Sequence, residues 1–282
     1  MKRRLRFLFA LLLVPLAGCG AAAPGAADLG SDPITQISVI NALMIGRYDG
    51  VATISELLRH GDFGVGTLDH LDGELIVLDG TAYQVGGNGV VAVVGVGRST
   101  PFATVVRFHA DGELPCPVVA SLSELDARLS EALPQKNEFA AIRVDARLAS
   151  ITLRSVHRQE PPYKPLGEVA RSQSVWTHDK LEGTLLGIRC PAWVGGLNVP
   201  GCHWHFLSKD HTIGGHVLDC SIEKGRVQYN LRRDWLIKLE NAPDYHKADL
   251  GQDLSRELKR VESARGGENE ANDREPQSTT PR

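Results

Sequence analysis

The chain of 282 residues has no basic excess: 31 lysines and arginines stand against 34 aspartates and glutamates. Binding to a phosphate backbone demands clustered positive charge, so nucleic acid is not an expected partner. After residue 19 no apolar stretch is long enough to cross a bilayer, which takes about 20 residues. No internal repeat is visible. Cysteine is scarce, five in all. Beyond Cys19 the sequence sets no pairing among Cys116, Cys190, Cys202 and Cys220, although an oxidising compartment would permit one.

What the N-terminus does have is a targeting segment. Lys2, Arg3, Arg4 and Arg6 precede a short apolar core, and the segment closes on Leu16-Ala-Gly-Cys19, which resembles the bacterial lipobox. The expectation is cleavage before Cys19, lipidation of its thiol, and export as a membrane-anchored lipoprotein. If Cys19 is not lipidated, the product is secreted. Loss of those four basic residues leaves 27 basic against 34 acidic, a net charge of −7. Residues 20–33 read as a flexible tether. Residues 263–282 have almost no apolar side chain and read as a disordered tail.

Between these ends, strands outnumber helices. Gln36–Ile45 suggests an opening strand and Ile54–His60 a short helix. Glu74–Leu78, bounded by Asp72-Gly73 and Asp79-Gly80 turns, is a strand, as are Thr81–Val85, Val90–Val94 and Phe102–Phe108. Leu122, Leu125, Leu129 and Leu133 recur at helical spacing, with Ser121 and Glu124 as a capping box. Phe139–Val144 and Ser150–Val156 look like a hairpin pair. The Pro-rich connector Glu160–Pro165 suggests a boundary between an N-terminal β-rich subdomain, 34–165, and a C-terminal one, 166–262. A short helix is expected near Asp234–Glu240 and another at Ser255–Glu262. The class is α+β, two packed subdomains with mixed or antiparallel sheets.

The densest chemistry lies in Asn198-Val-Pro-Gly-Cys-His-Trp-His-Phe206 and Gly214-Gly-His-Val-Leu-Asp219. His203 and His205 are two apart in an apolar strand context, so both point to one face. His216 opens a second apolar run that a neighbouring strand can bring alongside. Three imidazoles suit zinc and leave a coordination position open to substrate. His211, a rival third ligand, sits in a polar loop and reads as a solvated turn residue. Cys202 and Trp204 alternate to the opposite face and are not ligands; Cys220 reads as core.

Four segments then resemble the α-acetolactate decarboxylases: Gly61–Thr67, Leu71–Gln84 with Thr100–Thr104, Arg154–Pro165, and the histidine motif itself. The resemblance runs in order from about residue 35 to 262. It implies zinc on His203, His205 and His216, an active-site carboxylate at Glu74, an arginine at Arg154 that orients the substrate carboxylate, a C-terminal catalytic carboxylate at Glu262 and a substrate-contacting hydroxyl at Thr67. The implied reaction removes CO2 from 2-acetolactate through a metal-stabilised enediolate, protonated on one face to give acetoin, with no organic cofactor. It leaves open whether Glu74 or Glu262 delivers the proton. The implied fold has the zinc site on the C-terminal subdomain facing a cleft, and family members are often dimers. Cys202 stands where an aromatic is expected. Two other classes compete: a cupin-like metal-dependent oxygenase, disfavoured by the spacing to His216, and a non-catalytic lipoprotein that binds a metal or metabolite.

Overall fold

The structure, a computed structural model, describes residues 32–263. The expected signal segment with Cys19, the tether up to residue 31 and the tail from residue 264 lie outside them. In chain order the elements are β1 (Ile34–Ile37), α1 (Ile40–Met44), β2 (Ala52–Thr53), α2 (Ile54–His60), β3 (Phe63–Thr67), β4 (Glu74–Leu78), β5 (Thr81–Val85), β6 (Val91–Val93), β7 (Ser99–Thr100), β8 (Ala103–Val106) and β9 (Gly112–Pro115). Then follow α3 (Leu122–Ala132), β10 (Phe139–Ser155), α4 (Leu166–Val169), β11 (Ser174–Cys190), β12 (Gly201–Ser208), β13 (Gly214–Arg232), β14 (Trp235–Lys238), α5 (Pro243–Lys247) and α6 (Ser255–Ser263).

Seven strands form one sheet in the order β14-β1-β8-β3-β4-β5-β6, antiparallel except for the parallel pair β1–β14. Five form a second, antiparallel sheet, β10-β11-β12-β13-β9, in which β10 also pairs with β13. Strands β10 to β13 therefore pair in a closed circuit. Irregularities in the β10–β13 pairing allow this bending, because an extra residue locally increases twist: Ala149 is the extra residue in β10, Glu223 and Leu218 those in β13. The result is an α+β fold built mostly from sheet. Strands β9 and β10 precede the Pro-rich connector yet pair with strands that follow it, and β14 returns to the first sheet. No helix among the described residues is long and apolar enough to cross a membrane.

Alternation decides which residues meet between the layers. In β4, Ile76 and Leu78 pack with Leu186, Ile188 and Leu207 of the second sheet. Leu75 and Val77 face the other way, onto Ile54 and Leu57 of α2. Both faces of β4 are thus covered, which accounts for its unbroken apolar run. Glu74 shares the parity of Ile76 and is carried toward the second sheet. In β12, Trp204 and Phe206 pack beneath Leu125 and Leu129 of α3, while Leu207 faces the first sheet. His203 and His205 share the parity of Leu207. The helix α3 starts as expected: Ser121 accepts from the Glu124 N–H, and Glu124 accepts from the Ala120 N–H.

Three local expectations are corrected. Phe139–Ser155 is one strand and not a hairpin pair: Asp145–Ala149 contains no Gly, Pro or Asn, and strands on both sides keep the chain extended. Residues near Asp234–Glu240 form β14 and not a helix, because pairing with β1 outweighs a weak helical preference. Ile40–Met44 is helical where a continued strand is expected. The four cysteines at 116, 190, 202 and 220 are free thiols.

Candidate active site

The site is assembled across strands. His205 of β12 stands opposite His216 of β13, and His216 stands opposite Arg154 of β10. Three chemically active residues thus occupy one lateral row, at the close spacing of cross-strand neighbours. Gly215 makes this register possible. Its φ of +145° belongs to glycine, and a Cβ there would lie 2.7 Å from the Arg154 carbonyl oxygen. His203, two residues along β12, completes a group whose ligand nitrogens all lie within 4.8 Å of one another.

The hydrogen bonds orient each ring. His205 Nδ1 donates to the Leu75 carbonyl at 3.0 Å, since a carbonyl only accepts. Its Nε2 is then a lone pair, fully buried and without a hydrogen-bond partner. His216 Nε2 donates to the Glu262 carbonyl at 3.3 Å, which turns its Nδ1 to within 3.1 Å of His203 Nε2. A main-chain acceptor behind the imidazoles of His205 and His216 is the arrangement that prepares histidines to bind a metal. Burial lowers all three pKa values, those of His205 and His216 well below the ordinary value, with Arg154 adding to the effect. Neutral imidazoles are the form that binds a cation. The donor set and the orphaned His205 Nε2 fit a metal ion.

Two carboxylates and one guanidinium close around the histidines. Arg154, 4 % exposed, places Nη1 3.3 Å from Glu74 Oε1 and Nη2 3.7 Å from Glu262 Oε1. Glu74 Oε2 is 3.5 Å from His205 Nε2. Glu262 Oε2 lies 3.8 Å from His203 Nε2 and 3.7 Å from His216 Nε2. Burial raises the Glu74 pKa to about 7; Arg154 opposes the rise and Glu262 adds to it. Glu262 comes from α6, whose Leu258 and Val261 share an apolar cluster with Leu166 and Val169 of α4 and with Ile40, Leu43 and Met44 of α1. Thr67 is buried and stands opposite Glu74 in the β3–β4 ladder; its hydroxyl donates to the Gly73 carbonyl at 2.6 Å. His211 lies away in the β12–β13 turn, with Nδ1 3.2 Å from the Tyr83 hydroxyl.

Supporting residues escape a reading of motifs alone. Asn198 donates to Gln36 Oε1 at 2.6 Å and to Thr104 Oγ1 at 3.0 Å, fastening the loop before β12 to the first sheet. Its place in Asn198-Val-Pro-Gly201 is the one signal that could have found it. Trp204 Nε1 donates to Asp126 at 2.9 Å, anchoring the back of β12 to α3. A cavity of about 550 Å³ opens elsewhere, between the β4–β5 turn and β10–β13. Its charged groups largely pair with one another, Arg143 with Asp79 and Asp145 and Lys209 with Glu182.

The α-acetolactate decarboxylase family model matches residues 34–252, a span that holds the three histidines, Arg154, Glu74 and Thr67 but not Glu262. The chain is 43 % identical to an α-acetolactate decarboxylase of Methanosarcina mazei over 239 residues, 85 % of this chain and 83 % of that protein. It is 32 % identical to the Bacillus subtilis protein of the same name, over 85 % of this chain and 94 % of that one. The crystal structure of α-acetolactate decarboxylase from Bacillus subtilis strain 168 superposes with a TM-score of 0.80 at 32 % identity, covering 82 % of this chain and 100 % of that chain. A Staphylococcus aureus protein of unknown function, described as similar to α-acetolactate decarboxylase, gives 0.77 at 28 % identity over 81 % of this chain and 99 % of that chain. On these matches the chain belongs to the α-acetolactate decarboxylase family.

Proposed function

We propose that this chain decarboxylates 2-acetolactate to acetoin and CO2. The observation that carries the reading is the convergence of Arg154, Glu74 and Glu262 on three buried, inward-facing histidines. His203, His205 and His216 would hold the metal ion, for which zinc is the proposed identity, and the bound ion would supply Lewis acidity toward the ketone and hydroxyl oxygens of the substrate.

The remaining work falls to the chain. Arg154 is the one cation among these side chains and binds the substrate carboxylate, whose formal charge the guanidinium matches. Scission of the carbon–carboxylate bond leaves an electron pair on the carbinol carbon, delocalised onto the ketone oxygen as an enediolate. A protonated Glu74 then delivers its proton to that carbon. Its raised pKa keeps a large protonated fraction near neutral pH, and solvent restores the proton afterwards. Fixed on β4, Glu74 approaches from one side, which supports protonation on one face and a single acetoin enantiomer. Thr67, next to Glu74 in the ladder, has its proton committed to Gly73 and retains lone pairs for a substrate hydroxyl.

Turnover of racemic 2-acetolactate by the protein lacking residues 1–19, with metal content measured alongside, tests this. Acetoin release that stops on chelation, returns with zinc and is lost in His205→Ala supports it. Stoichiometric metal with no acetoin would sink it and revive the binding-protein alternative. Export with a lipid on Cys19 is part of the proposal, supported by Leu16-Ala-Gly-Cys19; failure of the intact precursor to incorporate labelled fatty acid would remove it.

A further inference from the structure

Residues 248–254 run between α5 and α6 outside both sheets and lead to Glu262. Beyond this strap, Leu258 and Val261 of α6 share an apolar cluster with residues of α4 and α1, and within the strap Leu250 packs by Val39, Ala42 and Tyr245. Such contact is non-directional, so it selects a face without fixing a position along it. Direction comes from Asn41 on α1. Its amide donates one hydrogen to the Leu250 carbonyl at 2.9 Å and the other to the Gln252 carbonyl at 3.0 Å. Both hydrogens of one NH2 group are spent on alternate carbonyls of one segment. The side chain is buried, and the Asn41 main-chain N–H donates to the Gly196 carbonyl at 3.2 Å. Gly196 belongs to the loop that enters β12. One residue is therefore bonded to the lead-in of the histidine strand and to the strap that carries Glu262.

We propose that Asn41 is a positioning residue for the decarboxylation: its amide registers the C-terminal strap so that the Glu262 carboxylate faces His203, His216 and Arg154. Aspartate has no hydrogens to give and would set a charge against two carbonyls. Glutamine is one methylene too long for the same buried site, and leucine would leave both carbonyls unpaired. The kinetic part rests on the function proposed above; docking of the strap is measured apart from turnover.

Asn41→Ala and Asn41→Ser, each alone and combined with Glu262→Gln, make the test. Hydrogen exchange of the metal-loaded protein is followed in peptides covering 249–263 and in those covering β12. Exchange in 249–263 is expected to quicken roughly tenfold, the scale of two lost buried hydrogen bonds, with β12 unchanged. Acetoin formation should fall about tenfold in the wild-type background and less than about twofold in Glu262→Gln, because residues acting through one another are not additive. Unchanged exchange, or an equal kinetic loss in both backgrounds, overturns the proposal. If the wild type makes no acetoin, the functional reading fails while exchange still decides whether Asn41 registers the strap. Should the alanine variant not fold, the serine variant keeps a small polar group at the site and carries the same comparison.

Discussion

Arg154 and Glu74 form a buried ion pair, Nη1 to Oε1 at 3.3 Å, and the other arm of the same guanidinium reaches toward Glu262 at 3.7 Å. A planar fork spans two carboxylates that a single ammonium cannot. Arg154→Lys should therefore keep the charge and the fold yet lower kcat/KM by about 10- to 100-fold, a loss of ~1.4–2.8 kcal/mol of transition-state stabilisation. Arg154→Ala should cost more, because the buried Glu74 and the half-buried Glu262 both lose their cationic partner. Acetoin kinetics with thermal melts alongside check this; a lysine variant at wild-type rate would show that the fork is not used.

The three imidazoles make a prediction about acid. Their folded pKa values lie below the ordinary histidine value of 6.5. Below that value the unfolded chain takes up protons that the folded chain refuses, so this contribution is intact above pH 6.5 and is lost as pH falls. Glu74 works in the opposite sense. Its folded pKa of about 7 against a reference of 4.5 stabilises the fold at low pH, and that stabilisation fades as pH rises through 7. Three groups oppose one, and the histidines win below pH 6.5. Metal-stripped protein should lose stability in denaturant between about pH 7 and pH 5.5, at up to ~1.4 kcal/mol per pH unit for each histidine. The loss should shrink when the histidines are replaced by glutamine. A flat profile would mean the imidazoles are not buried in the folded protein.

What can be read from the sequence follows the range of each signal. The period-2 pattern of β12 places His203 and His205 on one face and Trp204 on the other, and Trp204 does pack beneath α3. The cap at Ser121 is a short-range signal, carried by residues within one helical turn, and is legible for that reason. The β10 sequence reads as a hairpin because its continuity is imposed by β11 and β13, up to about 90 residues away in the chain. Strand β14 reads as a helix because only β1, about two hundred residues earlier, makes it extended. Within the site, motifs bring Arg154, Glu74 and the histidines into view. The Leu75 carbonyl behind His205 and the Asn41 amide leave no pattern, since main-chain acceptors have no residue type and a lone asparagine is unremarkable.

Gly215 offers a test of the row itself. Its φ is +145°, and a methyl group added at its Cα would come within 2.7 Å of the Arg154 carbonyl oxygen, which leaves no room for a side chain. Gly215→Ala should strain the β10–β13 ladder beside His216 by roughly 1–3 kcal/mol. Metal affinity is expected to fall along with the melting temperature. Gly80→Ala, a turn glycine with nothing within 4 Å of such a methyl, is the comparison: it should cost stability through its φ of +77° and leave metal binding alone. Equal effects on metal in both variants would detach Gly215 from the site.

The identity of the proton donor separates the two carboxylates. Glu74 is held by β4 against Arg154, and burial keeps a share of it protonated near pH 7. If it acts as the acid, the rate should decline as pH rises through about 7, because the protonated form is the active one. Glu74→Gln should remove that limb and lower the rate by about 100-fold or more, within the range that general acid catalysis contributes. The residual product should be racemic acetoin, since water can then protonate the enediolate from either side. Glu262→Gln should slow turnover without losing the enantiomeric preference, because Glu74 still addresses one face. Chiral chromatography of the acetoin from both variants decides between them. Racemic product from Glu262→Gln, with a single enantiomer from Glu74→Gln, would transfer the proton-donor role to the C-terminal carboxylate and leave Glu74 as the partner that holds Arg154 in place.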